Sequence, residues 1–197
     1  MEFIVDINSV ESKAVQFQVS PGEIVYCISN KTSKALLKGL IGDDRTVNGK
    51  VLGRDVSTHR KNLRDLRKEV GYVDEDMYLS REHSIRQNFE LYLAGSKDKS
   101  KLITKLDSHL QYFGLDKDNI VAKLSPREVF YTKLCFCLAK NPKLVVIPKA
   151  FTFTSQSVFR TLMSHIYDLI MDGDITYIAN VSDPSLTENF PGRVVTL

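Results

Sequence analysis

The sequence predicts an α/β fold: a mostly parallel sheet with flanking helices, an N-terminal antiparallel β part and an inserted helical subdomain. Three observations predict it. Short β-patterned segments alternate with helical ones over most of the chain. Segments 2–7 and 14–19 alternate apolar and polar residues, as half-buried strands do. The block 80–140 is helical and interrupts the alternation. At 197 residues the chain is expected to be one domain, 1–197, with 80–140 as a helical subdomain within it.

The elements follow in order. Pro21-Gly22 is a turn, and 23–29 reads as a buried strand through Ile24, Val25, Tyr26, Cys27 and Ile28. A polar loop, 29–33, precedes helical spacing at Ala35, Leu36, Leu37, Leu40 and Ile41, which Gly42 stops. Asn48-Gly49 predicts a turn before a short strand, 50–52. Residues 57–68 are strongly charged and belong on the surface, and 69–73 is a short strand. Helices are expected over 84–94, 100–113 and 126–140, the first two separated by a polar linker, 95–99. Residues 144–147 form a buried strand, 157–171 an amphipathic helix ending at Gly173, 175–181 a strand and 193–197 a last one.

Composition narrows the function classes. Hydrophobic content of 43% and charged content of 26% are those of an ordinary globular domain. A net charge of +3 is too small to argue for nucleic acid. The most basic stretch, Arg54, His59, Arg60, Lys61, Arg64, Arg67 and Lys68, is spread around a helix and interrupted by Asp55, Asp65 and Glu69. No nucleic-acid partner is expected. No apolar run approaches the roughly 18 residues of a membrane span, and Glu2 and Asp6 interrupt any signal pattern. The chain is expected to be cytoplasmic. Cys27, Cys135 and Cys137 read as buried thiols, and His59, His83, His109 and His165 are scattered, so no metal site is expected.

Several segments then fall in a familiar order. Gly22-Glu23-Ile24-Val25 enters a loop that Leu36-Leu37-Lys38-Gly39-Leu40-Ile41-Gly42 leaves as a helix. Asn48-Gly49-Lys50-Val51, then 66–73, Ser84-Ile85-Arg86-Gln87-Asn88-Phe89, Leu124-Ser125, Leu138-Ala139 and Asn141-Pro142-Lys143-Leu144 follow. From about residue 16 to 197 this order resembles the nucleotide-binding domain of ABC transporters. The resemblance implies a P-loop NTPase-like fold.

The resemblance also implies site positions. The phosphate loop maps to Ser29-Asn30-Lys31-Thr32-Ser33-Lys34, which has no glycine, with Ser33 in the lysine register and Lys34 in the Ser/Thr register. This segment is either a turn capped by Asn30 or Thr32 or an anion site served by Lys31 or Lys34. The glutamine-loop position falls near Glu75 in Asp74-Glu75-Asp76, a docking loop or a solvated acidic turn. The signature-like segment is Leu124-Ser125-Pro126-Arg127-Glu128, whose residue types also make a capping box. The metal carboxylate and general base of the second nucleotide motif fall on Pro148 and Lys149, the subunit-contact aspartate on Ser155 and the switch histidine on Ser182.

Losing one well-placed donor costs roughly 10²–10³ in rate, and several positions differ together. On this reasoning the chain is expected to be no enzyme but a pseudo-ATPase lacking Walker A, Walker B and switch residues, with no cofactor. Its expected role is structural or regulatory, in a membrane-associated ABC-type complex, peripheral at the inner face of the membrane. Expected partners are a membrane permease, a catalytic ABC subunit or a second copy of itself. Pro126 and Arg127 weaken a role in completing a partner's catalytic site. The alternative is an ATP-binding or ATP-hydrolysing subunit with a rearranged site, active only with a partner. It would use Lys31 or Lys34 for phosphate and Asp74, Glu75 or Asp183 for metal.

Overall fold

The computed structural model describes residues 3–57, 60–74, 77–93, 98–148, 156–172 and 175–197. They form two compact units, Met1–Tyr72 with Pro142–Leu197, and Val73–Asn141.

The first unit holds two sheets. β1 (Val5–Val10), β2 (Lys13–Val19), β4 (Val47–Val51) and β5 (Arg54–Asp55) form an antiparallel sheet in the order β2-β1-β4-β5. β3 (Ile24–Ile28), β6 (Val70–Tyr72), β7 (Leu144–Ile147), β8 (Thr176–Val181) and β9 (Arg193–Val195) form a parallel sheet in the order β6-β7-β8-β3-β9. This is the mixed α/β class that the alternating pattern predicts. Helix α1 (Lys31–Gly39) contacts β1, β4 and β8 and so lies between the sheets. Its Leu36, Leu37 and Leu40 share one core with Val5 and Ile7 of the first sheet and Val25, Cys27, Val146 and Ile178 of the second.

Side chains alternate across the parallel sheet, as a period of two requires. Tyr26 and Tyr177 point to the opposite face, which α6 (Gln156–Asp172) covers. There Phe159 packs on Tyr26 and on Phe190, with ring centroids 6.2 and 5.2 Å apart, and Tyr26 Oη approaches Met163 Sδ at 3.7 Å. Burial pushes the Cys27 thiol up to about 12. The charged stretch after β5 forms α2 (Arg60–Glu69), which buries Leu66. Toward its end Arg67 pairs with Asp43 and Lys68 with Asp65 at 2.7 Å, and its last residue, Glu69, pairs with Arg54 of β5.

One sequence expectation is corrected here. Asn48-Gly49 is not a turn but lies inside β4. Gly49 faces Ile7, at the edge of an irregularity in β1 between Ile7 and Ser9. It adopts a φ of 148°, and a Cβ there would sit 2.6 Å from Ile7 Cα. The glycine therefore serves a close strand approach. The turn comes later, at Leu52 and Gly53, with φ of 51° and 72°.

The second unit holds α3 (Ile85–Tyr92), α4 (Lys99–Tyr112), a 3-10 turn at Val121–Lys123 and α5 (Pro126–Leu138). Ser84 caps α3 through a capping box with Gln87. Phe89 packs on Phe136 at 4.9 Å, and Phe113 stacks on Tyr131 at 4.3 Å. The buried Asn88 accepts from Ser80 N–H at 2.7 Å and donates to the Ser80 and Ser84 carbonyls at 3.0 Å. Cys135 and Cys137 are buried, as expected. Among the described residues, no helix is long and apolar enough to cross a membrane.

Candidate functional site

β3, β7 and β8 run parallel, so their carboxyl ends open on one edge of the sheet. In open α/β sheets that edge is where ligands bind. β3 leaves it through Ser29 and Asn30 into α1. Ser29 N–H donates to the Val181 carbonyl at 2.8 Å, which holds the exits of β3 and β8 side by side.

Asn30 makes the helix start. It is extended, with φ −147° and ψ −175°, and its Oδ1 accepts from Ser33 N–H at 2.8 Å. Ser33 Oγ accepts in turn from Asn30 N–H at 2.9 Å. The pair is a reciprocal cap that satisfies first-turn donors. The Asn30 amide also donates to the Leu197 carbonyl at 2.9 Å, tying α1 to the chain after β9. Of the two capping candidates read from the sequence, the structure uses Asn30.

Ser33, in the register of a phosphate-binding lysine, is fully buried. Lys34 is exposed. Lys31 is exposed too, and it pairs with Glu11 at 3.3 Å, in the left-handed turn between β1 and β2. Both lysines thus stand at the first turn of α1, where the helix dipole favours an anion.

Pro148 is buried at the exit of β7. Its carbonyl accepts from Asn180 Nδ2 at 2.9 Å, and Asn180 Oδ1 lies 3.4 Å from Ser33 Oγ. Asn180 is fully buried in β8. Sequence reasoning gave it no role, although an amide inside Tyr177-Ile178-Ala179-Asn180-Val181 is the one polar side chain in an apolar run. Ser182, just past β8, is exposed. Asp183 accepts from Ser185 N–H at 2.9 Å, and the hydrogen bonds from Ser185 hold its carboxyl below the usual carboxylate range.

The structure therefore brings Ser29, Ser33, Pro148 and Ser182 to one edge, with Lys31 and Lys34 beside it. Lys149, Glu75 and Ser155 lie outside the described residues. Asp74 is described, and its carbonyl accepts from Lys133 Nζ at 3.0 Å. Among the described residues, no group of acidic, histidine or cysteine side chains is placed to hold a metal.

The signature-like residues belong to the second unit. Ser125 caps α5: its Oγ accepts from Glu128 N–H at 3.3 Å, and Glu128 accepts from Ser125 N–H at 2.7 Å. Pro126 occupies the first helical position, where its missing N–H costs nothing. Bonds from Ser125 hold the Glu128 carboxyl below its usual range. Arg127 is exposed.

A family model described as ABC transporter matches residues 12–150. The chain is 23% identical over 193 residues to methionine import ATP-binding protein MetN 1 of Staphylococcus epidermidis, covering 94% of this chain and 57% of that protein. It is 24% identical over 208 residues to phosphonates import ATP-binding protein PhnC of Lactobacillus acidophilus, covering 98% and 81%. This chain thus spans little more than half of the methionine-import relative. In fold it matches cbiO1 of Clostridium perfringens, part of the ABC transporter complex cbiONQ, with a TM-score of 0.85 at 16% identity over 100% of this chain and 85% of that one. A nucleotide-free ATP-binding cassette from an ABC transporter gives 0.77 at 15% identity, covering 100% and 88%.

These matches correct one expectation. The sequence reading made the chain no enzyme, a pseudo-ATPase lacking Walker A, Walker B and switch residues. Its relatives are ATP-binding import proteins that align across nearly the whole chain. They overturn that reading and favour its alternative. That reading rested on residue type at single positions alone.

Proposed function

The chain belongs to the ABC transporter family, and we propose that it is the ATP-binding subunit of an ABC-type import system, with a rearranged nucleotide site that works only with a partner. One observation carries the reading. The N-terminus of α1 stands at the shared carboxyl edge of β3, β7 and β8, capped by Asn30 and flanked by Lys31 and Lys34. That edge offers a helix dipole and two cations to an anionic ligand.

The rearrangement concerns which residue does what. Ser33 is consumed by the cap, so positive charge for phosphate comes from Lys34, or from Lys31 once Glu11 releases it. The exposed pair offers little resistance to that release. Asp183, just past β8 at the same edge, supplies carboxylate for Mg²⁺. Ser125, Pro126, Arg127 and Glu128 present the signature-like surface on the second unit, which serves as the helical subdomain of one ABC domain. The partner is a membrane permease, a catalytic ABC subunit or a second copy, and the complex sits at the inner face of the membrane.

The test is Mg·ATP turnover by the chain co-purified with its membrane partner, beside the chain alone. Turnover is expected only in the complex, and Lys34→Ala is expected to lower it by roughly 10²–10³, the scale for one lost stabilising donor. If calorimetry shows no saturable Mg·ATP binding and the complex shows no turnover, the reading fails.

A further inference from the structure

Asn180 sits in β8, flanked by β3 on one side and β7 on the other, and is fully buried. A primary amide has two donors and an acceptor with two lone pairs, and burying it without partners is costly. Both ends of this amide are engaged. The bond to Pro148 settles its orientation: a carbonyl only accepts, so the nitrogen faces Pro148 and the oxygen faces Ser33.

The sheet does not need this bond. The last paired residues of β7 and β8 are Ile147 and Ala179. Pro148 lies one residue past that ladder, and Asn180 continues the connection with its side chain in place of backbone. On the other side, Ser33 Oγ has one proton and two acceptors within reach, the Asn30 carbonyl at 3.1 Å and Asn180 Oδ1 at 3.4 Å. The result is a chain of hydrogen bonds, Asn30–Ser33–Asn180–Pro148, linking the start of α1 to the exit of β7.

We propose that Asn180 is a positioning residue: its side-chain amide ties the chain leaving β7 at Pro148 to the first turn of α1 at Ser33, so that these two flanks of the nucleotide edge keep one spacing. Its bearing on nucleotide rests on the ATP-binding reading above, whereas the mechanical coupling does not.

Two variants and two readouts test it. Asn180→Leu keeps similar volume and removes the amide, and Ser33→Ala removes the hydroxyl from a helical position. Without nucleotide, exchange of the Ser33 and Lys34 amide hydrogens is expected to speed up roughly five- to thirtyfold in Asn180→Leu, as losing one such bond implies, and by more in Ser33→Ala, which also removes the acceptor of the Asn30 N–H. The double variant is expected to add little, because both changes break one connection. With Mg·ATP, the dissociation constant is expected to rise by about tenfold in Asn180→Leu, on the scale of a single lost hydrogen bond.

A purely structural Asn180 would give a different result. Exchange would then rise uniformly across β3, β7 and β8, with no excess at Ser33 and Lys34, and that outcome overturns the proposal. Additive effects in the double variant overturn it as well. If the wild-type chain binds no Mg·ATP, the ATP-binding reading fails while the exchange arm still decides the positioning role. If Asn180→Leu does not fold, Asn180→Ala, which removes the same amide and leaves the Asn30–Ser33 cap intact, carries the exchange test.

Discussion

At the scale of single residues, burial decides chemistry more than residue type does. Cys27 and Ser33 are both small polar side chains inside the first unit, yet one is an inert buried thiol and the other closes a cap. His109 of α4 makes the point for pH. Burial, aided by Lys105, lowers its pKa from an ordinary 6.5 to about 4. The folded state therefore keeps this imidazole neutral where the unfolded chain takes up a proton. Stability should fall as pH drops from about 6.5 toward 4, with no further loss from this group below that. Urea unfolding of His109→Gln beside the wild type checks it: the difference between them is expected to grow over that window and then level off. The capping boxes at Ser84, Ser125 and Asn30 are also residue-scale features. The one at Ser125 was readable from spacing because Ser, Pro and Glu fall within four consecutive positions.

At the scale of elements, local patterns served well where they were local. Every β3-like apolar run became a strand, and every cap lies within two residues of a predicted helix start except that of α1, whose helix begins before its apolar stripe. At β4 a long-range contact overrides the local pattern. Asn-Gly is a strong turn signal, but Gly49 answers to Ile7 of β1, which no local window contains. Gly49→Ala is expected to lower stability by roughly 1–3 kcal/mol, the range for a strained backbone position, read as a shift in the urea midpoint at unchanged slope. A neutral Gly49→Ala would mean that β1 and β4 can separate without cost. The charged run before β6 was placed on the surface, and the structure agrees while organising it as α2, whose Leu66 is its anchor.

At the scale of the whole molecule, the order of strands in the parallel sheet positions everything else. β3 lies between β8 and β9, so the exits of β3 and β8 are neighbours and that of β7 is one strand farther. A ligand held at this edge contacts the folded chain only. Mg·ATP should therefore raise the unfolding midpoint, by an amount corresponding to about 2.7 kcal/mol at a hundred times its dissociation constant. A thermal scan with and without Mg·ATP reads this, and an unchanged midpoint at millimolar nucleotide counts against binding by the isolated chain.

The amino-acid sequence by itself determined the α/β class, most element positions and the caps, because hydrophobic period and cap chemistry act over a few residues. It also placed Ser29, Ser33, Pro148 and Ser182 as candidate positions. Only the tertiary structure decided how they are connected. Ser33 reaches Asn180 across 147 residues of sequence, and Asn180 reaches Pro148 across 32. Residue type at one position cannot reveal such a bond, since its partner is brought into range by the packing of α1 and β7 against β8, and by nothing local.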